Sequence, residues 1–331
     1  MTIHTISHIE YHCADAAQSA ADLVTGFGFA PDARQPDRRP GVHAVHLHQG
    51  AIRLRLSSAD AADHPVARFV EQHGDGVAVI ALGCADPDAS LERAVRHGGR
   101  VLDRDGGLVA GFGDVALRFV ADAPAPAEAP RPEALLDLLD HAAICVPAGE
   151  LAAAVRFCEA ALGFHRIFGE RVEIGAQAMD SSVVQSASGA VTFTLIEPDT
   201  DRQPGQIDAF LDAHQGPGVQ HLAFRTHDIA AALRRFRADG VEFLTTPSAY
   251  YDGLAERLGS TAIPVPVLRE LDVLVDQDHG GQLFQIFTRS VHSRRTFFLE
   301  LIERQGAGTF GTANIKALYE AVERQNATAS L

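Results

Sequence analysis

Ile6-Ser-His8-Ile-Glu-Tyr-His-Cys-Ala-Asp15 and Leu139-Asp-His141-Ala-Ala-Ile-Cys-Val-Pro147 read as one segment written twice. Each opens as a strand, continues through an Ala-rich amphipathic stretch, and turns at glycine, in Gly26-Phe-Gly-Phe29 and in Leu162-Gly-Phe164. A second pair follows: Gly74-Asp-Gly-Val-Ala-Val-Ile-Ala-Leu82 matches Gly216-Pro-Gly-Val-Gln-His-Leu-Ala-Phe224. Both are predicted strands, and each leads into a predicted helix, over 89–97 and 229–238. In the later helix Ile229, Leu233 and Phe236 recur at helical spacing with arginines between them. A strand–helix–strands unit occurring twice in each half predicts an α+β fold of tandem βαβββ modules. The expectation is two similar domains, each with a curved sheet, plus a C-terminal helix over 313–324.

Between the halves runs Ala121-Asp-Ala-Pro-Ala-Pro-Ala-Glu-Ala-Pro-Arg-Pro132, which has no apolar periodicity and reads as an extended linker. The predicted division is residues 1–122, a linker at 123–134, and 135–331. A length of 331 residues fits two domains at about 150 each.

The charge balance, 28 Lys+Arg against 43 Asp+Glu for a net of −15, leaves no basic stripe for nucleic acid or an acidic membrane surface. No apolar run approaches the roughly 18 residues of a membrane span. The first residues lack the basic start and apolar core of a signal peptide, so a cytoplasmic protein is expected. Cys13, Cys84, Cys145 and Cys158 form no CxxC pair, which excludes a zinc ribbon and fits a reducing compartment.

The duplication makes each half a control for the other. His141 has a counterpart in His8, but His221 falls where the first half has Val79. Glu300 is the only charge in Thr296-Phe-Phe-Leu-Glu-Leu-Ile302, and Val115-Ala-Leu-Arg-Phe-Val120 carries no matching carboxylate. Period two puts Phe298, Glu300 and Ile302 on one strand face. A buried carboxylate needs a cation, because desolvating it unpaired costs several kcal/mol. Two imidazoles and one carboxylate from three strands, 80 and 79 residues apart, form the facial triad of non-haem Fe(II) sites. Any one strand histidine is more often a packed core or edge residue; the three together, absent from the other half, point to metal. His43, His46 and His48 read as a solvated strand instead. Gly306-Ala-Gly-Thr-Phe-Gly311 lacks the Gly-Lys-Ser/Thr ending of a phosphate loop. Asp228 reads as a helix N-cap.

Asp140-His141, Gly218-Val-Gln-His-Leu-Ala223, Gln285-Ile-Phe-Thr288, Phe298-Leu-Glu-Leu-Ile-Glu-Arg304 and Gly311-Thr-Ala-Asn-Ile-Lys-Ala-Leu318 resemble the 4-hydroxyphenylpyruvate dioxygenase family, of the vicinal oxygen chelate superfamily. The resemblance covers nearly the whole second half and is architectural in the first. It implies Fe(II) held by His141, His221 and Glu300, with 4-hydroxyphenylpyruvate and O₂ as partners. It also implies a homodimer and a final helix that covers the pocket.

One branch of that family hydroxylates the ring and makes homogentisate; the other hydroxylates the benzylic carbon and makes 4-hydroxymandelate. Phe193-Thr-Leu-Ile-Glu-Pro198 departs from the ring-hydroxylating pattern Phe-Pro-Ile-Asn-Glu-Pro, and Ala313-Asn-Ile315 from Gly-Asn-Phe. Asp180-Ser-Ser-Val-Val-Gln-Ser-Ala-Ser-Gly-Ala190, Asp278-His-Gly-Gly-Gln-Leu-Phe-Gln-Ile286 and Glu303-Arg-Gln-Gly-Ala-Gly-Thr-Phe310 look like the benzylic branch. By that resemblance Ser181, Thr194 and Gln285 contact substrate, with Gln206 and Asn314 as further polar candidates. Phe298 and Phe310 wall the aromatic ring, and Ile196 and Ile315 shape where it rests. Rival classes are a non-catalytic binding module and a glyoxalase-like isomerase that needs no O₂.

Overall fold

The computed structural model describes residues 3–32, 41–122, 134–311, 313, 314 and 316. The first half supplies β1 Ile3–His12, β2 Ala30–Pro31, β3 Val42–Gln49, β4 Ile52–Ala59, β5 Gly76–Cys84, β6 Val101–Asp103, β7 Leu108–Phe112 and β8 Val115–Ala121. The second supplies β9 Leu139–Cys145, β10 His165–Ile174, β11 Gln177–Gln185, β12 Thr192–Pro198, β13 Gly218–Arg225, β14 Leu274–Asp278, β15 Gly281–Phe287 and β16 Phe298–Gln305. The sheets have the orders β2-β3-β4-β1-β5-β8-β7-β6 and β10-β11-β12-β9-β13-β16-β15-β14. These orders match element for element, so the repeated sequence folds as a repeated sheet. In each, the two four-strand modules meet along a central antiparallel pair, β1 with β5 and β9 with β13.

The six longest helices among the described residues are α1 Ala16–Phe27, α2 Pro65–His73 and α3 Pro87–Arg96, then α4 Leu151–Phe157, α5 Gln206–His214 and α6 Ile229–Ala238. Their starts follow local chemistry. Asp15 accepts from the amides of Ala17 and Gln18, Asp86 from Ala89, and Asp228 from Ala231, which satisfies first-turn donors that a helix cannot pair internally. The Gly-Phe turns common to both halves have one cause: Gly28 and Gly163 both sit at φ 74°, ψ 24°, the left-handed region that favours glycine.

Alternation along the strands sorts the side chains. Ile9, Ile80, Leu82 and Leu117 of the first half, and Ile144, Leu222, Phe224 and Leu301 of the second, belong to one continuous core that both halves share. Phe27 meets Phe236 at 5.2 Å and Phe29 meets Phe224 at 5.9 Å between ring centroids. The opposite strand face carries smaller apolar clusters, among them Ala143, Cys145 and Ile196, together with buried polar groups such as Glu10, His141 and Glu300. Linker residues 123–133, Ile315 and most of the expected final helix lie outside the described residues; Ala313, Asn314 and Lys316 are helical. All four cysteines are buried free thiols. No helix among the described residues is long and apolar enough to cross a membrane.

Candidate metal centre and substrate pocket

Strand register brings the three expected ligands together. Ala223 of β13 lies between His141 of β9 and Glu300 of β16, while His221 pairs with Ala143 and Phe298. His141 Nε2 and His221 Nε2 each lie 3.3 Å from Glu300 Oε2. One donor atom from each residue falls within 4.8 Å of the others, the single such group among the described residues. All three side chains are buried.

Each imidazole is tethered by the residue before it. His141 Nδ1–H donates to Asp140 Oδ1 at 2.9 Å, and His221 Nδ1–H to Gln220 Oε1 at 3.3 Å. This tautomer leaves both Nε2 atoms to face the carboxylate, as metal-bound histidines require. Burial works against charge on His141, but its bonds with Asp140 and Glu300 outweigh this and carry its pKa up to about 9. Burial pulls His221 below its usual value. Burial also disfavours charge on Glu300, yet the two histidines bring it down to about 2. The metal-free centre is therefore a carboxylate held against a protonated His141. A divalent ion fits in its place: the donor set is two imidazole nitrogens and one carboxylate oxygen, already converged and oriented.

The same register surrounds this centre with the expected contacts. Thr194 pairs with Ala143 and Ile196 with Cys145, Ser181 pairs with Ile196, and Gln285 with Ile302. All therefore share the face that carries His141 and Glu300. Phe298 stacks on His221 at 5.0 Å and 23°, and Phe310 meets His141 edge-on at 5.5 Å and 81°. Ser181 donates weakly to the Glu170 carbonyl at 3.4 Å. Thr194 Oγ1, Gln285 Oε1 and Asn314 Nδ2 are buried with no hydrogen-bond partner among the described residues. Orphaned polar atoms are rare in native interiors, and two of these, on Thr194 and Gln285, lie on the sheet face that carries His141 and Glu300.

The Asn314 orphan has a cause. Tyr250, in the short helix Ser248–Asp252, donates to its Oδ1 at 2.7 Å, and Arg257 lies 3.5 Å from the same oxygen. The amide can therefore offer only its N–H₂. Close by, a Cβ at Gly311 would stand 2.2 Å from Gln285 Oε1, so glycine lets that segment lie against the glutamine.

Gln206 departs from expectation. It stands exposed in the first turn of α5, in a crevice with Ile174 and Gln177, because Ile207 and Phe210 are the residues that helix turns inward. Ile315 is outside the described residues. Reading the sequence missed Gln220, Phe287 (6.0 Å from His221) and Arg304, which clamps Asp140. A cavity of about 520 Å³ lies between the halves; Asp140, Arg304 and Phe310 line it, but the three ligands do not.

Residues 138–286 and 7–117 each match a family model described as Glyoxalase/Bleomycin resistance protein/Dioxygenase superfamily. A solved triple mutant of 4-hydroxymandelate synthase from Streptomyces coelicolor is 42% identical with TM-score 0.85, over 98% of this chain and 100% of that one. The 4-hydroxyphenylpyruvate dioxygenase of Yarrowia lipolytica is 29% identical over 97% of this chain and 91% of its own length. That of Danio rerio is 31% identical over 96% and 89%.

Proposed function

The chain belongs to the 4-hydroxyphenylpyruvate dioxygenase family, and from that premise we propose that it converts 4-hydroxyphenylpyruvate and O₂ to 4-hydroxymandelate and CO₂ at an Fe(II) centre. One oxygen atom enters the carboxylate made from the keto carbon and the other the benzylic hydroxyl, so the atoms balance. The observation that carries the reading is the buried convergence of His141, His221 and Glu300 on a face where Thr194 Oγ1 and Gln285 Oε1 lack partners among the described residues. His141, His221 and Glu300 would hold Fe(II), which would supply the redox chemistry with O₂.

The rest falls to the chain. Asp140 and Gln220 hold the two imidazoles in the tautomer that presents Nε2. Thr194, Gln285 and Asn314 offer hydrogen bonds to substrate oxygens, with Asn314 acting as donor only. Phe298 and Phe310 confine the ring and keep water from the reacting carbons. Thr194 and Ile196 stand where the ring-hydroxylating pattern has Pro and Asn, and this altered wall supports the benzylic branch, as does the 42% identity to a 4-hydroxymandelate synthase. A soluble cytoplasmic homodimer is part of the same proposal.

The test is product identification by chromatography after incubation with Fe(II), O₂ and 4-hydroxyphenylpyruvate. The expected main product is 4-hydroxymandelate. Homogentisate in its place moves the chain to the other branch, and turnover without O₂ uptake overturns the oxygenase reading.

A further inference from the structure

We propose that Arg304 is a positioning residue that ties the imidazole of His141 to the aromatic wall at Phe310, so that one guanidinium sets both. The proposal rests on reading His141 as a metal ligand.

Four of the five N–H donors of Arg304 are used. Nε and Nη2 each donate to Asp140 at 2.8 Å, one to each carboxylate oxygen, a bidentate pair of the geometry that matches guanidinium to carboxylate. Asp140 in turn accepts from His141 Nδ1–H. Nη1 donates to the carbonyls of Ala307 at 3.2 Å and Thr309 at 2.6 Å, the two residues that flank Gly308 just before Phe310. The guanidinium carbon Cζ lies over the Phe310 ring, 4.9 Å from its centroid. Phe310 itself meets His141 edge to face. The contacts close a loop: His141 to Asp140, Asp140 to Arg304, Arg304 to Phe310, Phe310 to His141.

Its location gives the loop consequence. Both members of the ion pair are largely shielded, with side-chain exposure of 9% for Asp140 and 16% for Arg304. A bidentate guanidinium set over an aromatic ring is a case in which lysine is a poor substitute, since an ammonium group keeps the charge but loses the fork. Loosening Arg304 should therefore disturb metal binding and ring placement together, whereas a change at Phe310 should disturb ring placement alone.

The experiment compares Arg304→Lys, Asp140→Asn and Phe310→Leu, using full-length protein. Anaerobic titration with Co(II), followed by its visible absorption, reads the ligand set without turnover. The ratio of 4-hydroxymandelate to other products, with kcat and KM separated, reads ring placement. Asp140→Asn is expected to weaken Co(II) binding about 10- to 100-fold, the usual effect of losing a partner outside the ligand set. Phe310→Leu should leave Co(II) binding unchanged and lower the 4-hydroxymandelate share. Arg304→Lys should do both and shift the Co(II) spectrum.

An Arg304→Lys protein that matches wild type in either readout overturns the coupling. If that variant does not fold, Asp140→Asn/Arg304→Gln, which leaves no lone buried charge, carries the same expectations and the same refutation. Wild type and His221→Ala separate the two levels: if wild type takes up no Co(II), or His221→Ala takes it up equally well, the metal-site reading falls and the coupling with it. If only the Arg304 variants behave as wild type, the coupling alone falls.

Discussion

The two sheets carry the same register and opposite chemistry at its centre. Ala81 lies between His8 and Arg118 as Ala223 lies between His141 and Glu300. Val79 lies between Glu10 and Ala116 as His221 lies between Ala143 and Phe298. Position for position, then, the first half keeps one histidine, replaces the second with valine, and puts an arginine where Glu300 stands. Its carboxylate stands two strands across, on β1, at Glu10. There it is buried against Arg55, paired with Arg118 at 2.9 Å and approached by His8 at 3.7 Å. Arg55 occupies the register position of Thr194. One half closes its centre with permanent cations; the other uses imidazoles that can give up a proton to make room for a metal.

The largest expected difference is in turnover. His221→Ala should reduce product formation by more than the about 100-fold loss typical of removing an outer partner, whereas Val79→Ala should leave kcat/KM within about 2-fold. Comparable losses from both changes, measured with saturating Fe(II), break the assignment of chemistry to the second half.

Stability should show the reverse order. Glu10→Gln leaves two guanidinium groups facing a neutral amide, and arginine cannot shed its charge. The expected cost is about 3–5 kcal/mol in urea unfolding, as for a buried pair that loses one partner. Glu300→Gln in metal-free protein should cost about 1–2 kcal/mol, because His141 can release its proton and only hydrogen bonds are lost. Equal losses would mean that the imidazole centre is as rigidly charged as the arginine one.

Acid titration sharpens the same contrast. Burial disfavours charge on Glu10, but the nearby His8 and the field of Arg118 and Arg55 bring its pKa down to about 2 from 4.5. A carboxyl depressed in the folded state contributes stability that is complete above pH 4.5 and is lost as pH falls through about 2. The stability gap between wild type and Glu10→Gln should therefore shrink by roughly 3 kcal/mol over that window. A gap that stays constant from pH 6 to pH 3 contradicts the ion-pair account.

Much of this was legible in the residues. The repeated strand–helix–Gly pattern gave two like sheets because period two and glycine turns are local properties. The triad stood out because His221 and Glu300 interrupt apolar strands and lack counterparts in Val79 and the 115–120 stretch. The Arg304 clamp was harder to see. Arg304 and Asp140 are 164 residues apart, and nothing in either neighbourhood shows that the end of β16 reaches the start of β9. Glu10 stayed hidden for a similar reason: its partners Arg55 and Arg118 come from other strands, so the comparison of halves registered a missing carboxylate and not a displaced one. Gln206 was misplaced because family likeness fixes a position in the chain, while the turn of α5 decides which side chains face inward.

The smallest expected effect tests the pocket rather than the fold. Thr194 Oγ1 is buried without a partner among the described residues, whereas Arg55 at the matching position is held by Glu10. Thr194→Val replaces the hydroxyl with a methyl of similar shape. If the hydroxyl waits for a substrate oxygen, its removal relieves an unmet polar group, so stability should stay constant or rise by up to about 1 kcal/mol. KM for 4-hydroxyphenylpyruvate should rise by about 3- to 10-fold, the worth of one hydrogen bond. A loss of stability above 1 kcal/mol with KM unchanged would mean that the hydroxyl serves the fold, and that the two halves differ less in purpose than their centres suggest.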